Sequence, residues 1–148
     1  MVVTRRGLVA AGAGVLLAGC GADAEPPPPD DELLGAVAAF ERSLVRAYAR
    51  VPGRLGRVLG ERAAELERRL GRPGADVTPP QGDPLEAALT LERRCMGACV
   101  AAIGDVREPT HRALAADAMT ASAEHAAILL ERLGRDPLES RFPDGREA

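Results

Sequence analysis

Four apolar stripes in this chain are each interrupted near the middle by an ionisable side chain. Glu41 is flanked by Leu34, Val37, Val45 and Tyr48 at −7, −4, +4 and +7, and Glu92 by Leu85, Ala88, Met96 and Cys99 at the same offsets. Arg62 sits among Leu55, Val58, Leu66 and Arg69, and His125 among Ala118, Ala121, Leu129 and Arg132. Such offsets return to one face of an α-helix, so the spacing aims all four groups inward. An unpaired buried charge costs too much to persist, so these groups must meet each other, a metal ion or water. Two chemistries compete. Glu41, Glu92 and His125, joined by Glu65, are oxygen and nitrogen donors suited to a transition metal such as iron. Alternatively Arg62 bridges Glu41 and Glu92 as their counter-ion, a closed polar clasp with no metal in it.

Cys95 and Cys99 form a second constellation, one helical turn apart and following Glu92 at i+3 and i+7. Thiolates suit a soft ion, and two of them at this spacing can chelate one Cu(I). Two other readings stand beside that one: small buried core residues, or an intrahelical disulfide, whose torsions regular helix geometry matches poorly.

The elements that must position these residues are helical throughout. The spacing predicts helices from about 31 to 51, 54 to 70, 84 to 103 and 108 to 133, and no segment alternates as a strand does. Asp30 or Asp31 is suited to cap the first, Pro84 and Pro109 fit first turns, and Gly134 with Pro137 ends the last. Pro52-Gly53 makes a tight break, whereas Gly71 to Asp83 carries three prolines and three glycines and cannot be helical. The tight, long, tight order of connections predicts two helical hairpins joined by a crossover; a simple up-down-up-down bundle is the alternative.

A Glu on the first and third helices and a polar pair on the second and fourth resembles the ferritin-like superfamily, over about residues 31–134. It is similar in particular to the ferritin-like domain of unknown function found in exported bacterial lipoproteins of actinomycete type. The resemblance implies an all-α, ferritin-like four-helix bundle. In iron-binding members the second and fourth helices each carry Glu-x-x-His. Here those positions read Arg62-x-x-Glu65 and Ser122-x-x-His125. A di-iron site needs negative charge against two cations, and Arg62 brings a positive one, so the resemblance implies a degenerate site.

The amino-terminal stretch resembles an export signal. Arg5-Arg6 precedes an apolar core, Leu8 to Leu17, that is too short to span a bilayer of about 30 Å. The pair resembles a twin-arginine signal, and Leu17-Ala18-Gly19-Cys20 resembles a lipobox, which implies cleavage after residue 19 and acylation of Cys20. Residues 20–30 read as a lipidated, proline-rich tether, and residues 135–148 as a tail beyond the bundle.

Composition narrows the function. Losing Arg5 and Arg6 with the signal moves the net charge from −3 to −5, which disfavours nucleic acid as a partner. With one Tyr, two Phe and no Trp, base or sugar stacking has no platform. No nucleophile elbow, phosphate loop or HExxH occurs in the mature chain. The expectation is a lipid-anchored extracytoplasmic protein that is a non-enzymatic binding module, with no resident cofactor and an unidentified protein or small-molecule partner. A metal-binding protein, taking iron through the Glu/His core or copper through Cys95 and Cys99, is the alternative; a di-iron oxidoreductase comes third.

Overall fold

The computed structural model describes residues 28–72 and 75–137. The signal, the lipobox, Cys20, most of the tether and the tail from residue 138 lie outside the described residues. Four helices account for the described fold: α1 Asp30–Tyr48, α2 Gly53–Leu70, α3 Pro84–Asp105 and α4 Pro109–Arg132. There is no strand among the described residues. Local chemistry sets several of the boundaries. The Asp83 carboxylate accepts from the amides of Leu85 and Glu86 at 2.9 and 3.0 Å, capping α3, with Pro84 in its first turn. α2 ends on Gly71 in the left-handed conformation, φ 58°, where a side chain would be strained.

Asp30 behaves differently from the expected cap of α1. It is the first residue of that helix, and its carboxylate reaches across the bundle end to accept from the amides of Arg107 and Glu108, both at 3.0 Å. It thereby satisfies donors at the turn between α3 and α4 rather than those of its own helix.

Hydrogen bonds along the long connection establish the direction of each helix. Arg72, just past α2, pairs with Asp31 at the start of α1 at 2.8 Å. The chain then runs beside α1: Ser43 donates to the carbonyl of Val77, Arg46 reaches Asp76 and Val77, and Arg50 reaches the carbonyls of Pro80 and Gly82. The connection thus climbs the length of α1, so α3 starts where α1 ends. α3 finishes back beside Asp30, and α4 returns to place Arg135 against Glu86, near the start of α3, at 2.5 Å. The helices run up, down, down, up. α1 packs closely on α2 and on α3, and α3 on α4, while α1 and α4 touch only lightly across the diagonal. The simple up-down-up-down arrangement is therefore not the one adopted.

The core is aliphatic and small-residue rich, with Leu34, Val37, Leu44, Leu89, Leu91 and Leu129 fully buried among many alanines. Gly56 lets α2 press on the end of α1. A Cβ there would lie 2.2 Å from the carbonyl oxygen of Val51 and 2.6 Å from that of Tyr48, closer than atoms tolerate. The inward stripe of α2 is Gly56, Leu59, Ala63, Leu66 and Leu70. Val58 is 47% exposed and Arg62 points to solvent. Leu59, Leu66 and Leu70 of the sequence-based stripe are buried, but Val58 and Arg62 sit one residue away from Leu59 and Ala63, and one residue turns a helix by about 100°.

Candidate functional site

Of the four interrupting groups, three enter the core. Glu41, Glu92 and His125 are 1%, 0% and 7% exposed, whereas Arg62 is exposed and takes no place in a clasp between the two carboxyl groups. Glu65 is also outside: its carboxylate pairs with Arg68 one turn along the surface of α2. The buried cluster is completed by residues not counted among the four: Tyr48 from α1, Cys95 and Cys99 from α3, and Ser122 from α4.

Glu92 is the hub. Its Oε1 accepts from the Tyr48 hydroxyl and from His125 Nδ1, the latter at 3.0 Å, so one oxygen ties α3 to both α1 and α4. The phenol and imidazole rings meet edge to face, centroids 6.0 Å apart and planes 86° to each other, which fixes both orientations. Oε2 of Glu92 is buried with no hydrogen-bond partner. Tyr48 was legible in sequence only as an apolar-face residue. Its offset of seven from Glu41, two turns along the same face, was the signal that its hydroxyl would also need a buried partner.

Glu41 has a different environment. Among the described residues its carboxyl group has one hydrogen bond, a long one, with the Cys95 thiol donating to Oε1 at 3.7 Å. Burial pushes its pKa up to about 10, with the Cys95 thiol and Glu92 adding to the effect and Arg62 opposing it only in part. Glu41 is therefore a neutral carboxylic acid at pH 7, and its proton takes over the balancing role expected of Arg62. Hydrogen bonding with Cys99, and then burial, hold the Cys95 thiol well above its usual pKa, while Ser122 pulls modestly the other way. Burial, followed by Glu92, also raises the Tyr48 phenol. Cys95 and Cys99 are both free thiols at 0% exposure.

The residues present do not fit a di-iron centre. Two bridged cations require carboxylate charge, and here one carboxyl group is neutral and a second spends an oxygen on Tyr48 and His125. The third, Glu65, faces the surface, and Ser122 stands at the polar position before His125. No three His, Cys, Asp or Glu among the described residues are arranged to hold a metal ion together. No reaction step through iron follows from this geometry.

A second polar cluster closes the end of the bundle at which α1 begins. Asp30 holds the Arg107 and Glu108 amides and lies 3.2 Å from His111 Nδ1, while Arg72 bridges from His111 Nε2 at 3.0 Å to Asp31. The two backbone donors lower the Asp30 pKa to about 2. At the other end, an open groove of about 330 Å³ is lined by Val51, Pro52, Arg54, Leu55, Leu85 and Arg132. No helix among the described residues is long and apolar enough to cross a membrane. No family model, curated protein or solved structure matches the chain.

Proposed function

We propose that this chain is a membrane-anchored extracytoplasmic lipoprotein, held by lipid on Cys20, whose folded part is a ferritin-like domain with a degenerate di-iron site. It acts as a non-enzymatic binding or interaction module at the cell surface. The observation that carries this reading is the neutral, inward Glu41 beside a Glu92 already engaged by Tyr48 and His125. A polar core that satisfies itself in this way holds the bundle together where a metal centre would otherwise supply charge and chemistry. The crossover of the long connection, with helices running up, down, down, up, supports the ferritin-like reading, since those bundles use one long connection.

The amino-terminal residues support the anchor: a short apolar core and a small-residue approach to Cys20, then a proline-rich spacer. Asp30 lies at the bundle end nearest Cys20 along the chain, and the groove at Arg54 and Arg132 lies at the opposite end. Two measurements on the full chain, expressed in a bacterium that exports and acylates lipoproteins, test the proposal. Mass spectrometry of the membrane fraction should find an acylated amino-terminal Cys20; an unprocessed amino terminus sinks the anchor. Elemental analysis of chain purified from iron-replete cells should find well under one iron per chain, and about two would overturn the degenerate-site reading.

A further inference from the structure

Cys95 and Cys99 are the nucleophilic groups that the cluster around Glu92 leaves unused. Both lie on α3, one turn apart, and both are free and fully buried. The surroundings are polar rather than the plain alanine and leucine packing seen elsewhere in the core. Glu41 Oε1 contacts the Cys95 sulfur at 3.7 Å from α1, and on α4 the buried Ser122 hydroxyl has no hydrogen-bond partner. Glu92, one turn earlier on α3, leaves Oε2 buried without a hydrogen-bond partner.

We propose that Cys95 and Cys99 are a two-coordinate site for one Cu(I) ion within the bundle. Two thiolates in line are a preferred environment for this soft monovalent ion, and hard divalent cations gain little from sulfur. Binding breaks two S–H bonds and forms two Cu–S bonds; both thiol protons leave to solvent, copper stays Cu(I), and nothing is oxidised or reduced. The resulting bis-thiolate carries one negative charge. Glu41 packs its carboxyl group against the Cys95 sulfur, 3.7 Å away, and bounds that side of the site. This site is separate from the iron question, because it uses neither His125 nor the hydrogen-bonded oxygen of Glu92.

The test uses the full, lipidated chain in detergent, reduced and kept anaerobic, titrated with Cu(I) against a chromophoric Cu(I) chelator. One Cu(I) per chain should bind, with new thiolate-to-copper absorption in the ultraviolet and a rise in the midpoint of thermal unfolding. Two protons should be released per ion, so apparent affinity should climb about a hundredfold per pH unit while both thiols are protonated. Cys95→Ala and Cys99→Ala should each abolish saturable binding while retaining helical circular dichroism, and Glu41→Gln should weaken it only about tenfold. X-ray absorption of the wild-type complex requires no variant: two sulfur neighbours support the site, and nitrogen or oxygen neighbours overturn it. A reduced chain with both thiols titratable that takes up no Cu(I), or alanine variants that bind like wild type, also overturns it. Iron content does not bear on the outcome, so either reading can fail alone.

Discussion

The bundle contains two carboxylate–histidine pairs, Glu92–His125 at 3.0 Å in the middle and Asp30–His111 at 3.2 Å at the end, and they are built on opposite principles. The central pair is dry and surrounded by side chains: a phenol, an imidazole, thiols and a second carboxyl group. The end pair is partly solvated and organised by backbone, with two amides aimed at Asp30. The consequences show in the acids. Amide donors favour the charged form and draw Asp30 down to about 2, whereas burial without adequate donors drives Glu41 up to about 10. What decides an acid's state here is burial set against the supply of donors to its oxygens, more than the presence of a nearby cation. Arg62 is close enough to oppose the shift of Glu41 and too solvated to reverse it.

The largest expected effect comes from removing the central hub. Glu92→Leu strands the Tyr48 hydroxyl and His125 in a dry core, and stability should fall by about 3–5 kcal/mol in urea unfolding. A loss below about 1 kcal/mol would show that water reaches the centre and that the contrast between the two pairs is weaker than drawn.

Glu41 sharpens the comparison through pH. Its folded pKa lies above its unfolded value, so folding takes up a proton, and stability falls as pH rises from about 4.5 towards 10. The slope is at most about 1.4 kcal/mol per pH unit. Glu41→Gln keeps the shape without the titration, so unfolding curves at pH 6 and pH 9 should converge for the variant and differ for wild type. Equal pH dependence in the two proteins would mean that Glu41 is ionised in the fold.

Asp30 has the reverse sign and a smaller effect. Its folded pKa is depressed, so its contribution is present above its unfolded value near 3.8 and is lost as pH falls towards 2. Asp30→Asn should lower the melting temperature at pH 6 by less than Glu92→Leu does, and should flatten the acid limb of stability. An unchanged acid limb would remove Asp30 as the clasp between α1 and the turn before α4.

Arg62→Leu is the smallest. An exposed arginine without a buried partner should change unfolding free energy by no more than about 0.5 kcal/mol. A loss of several kcal/mol would return Arg62 to the core as the counter-ion of Glu41.

The sequence by itself determined the four helices, the breaks between them and the inward direction of Glu41, Glu92 and His125. In α1 and α3, large aliphatic residues such as Leu34, Val37, Leu89 and Leu91 mark one face clearly. α2 was ambiguous because its inward stripe relies in part on Gly56 and Ala63, which carry little hydrophobic signal, while Val58 advertises the neighbouring face. Only the tertiary structure chose between them, since the close approach of α2 to the Val51 and Tyr48 carbonyls needs the face with Gly56. The destination of Asp30 was equally hidden: a carboxylate at a helix start reads as a local cap, and its better donors lie at a turn 77 residues away. The sharing of one Glu92 oxygen by Tyr48 and His125 depends on three helices meeting. Local periodicity reports which way a side chain points from its own helix; which partner it finds is decided by how the helices dock.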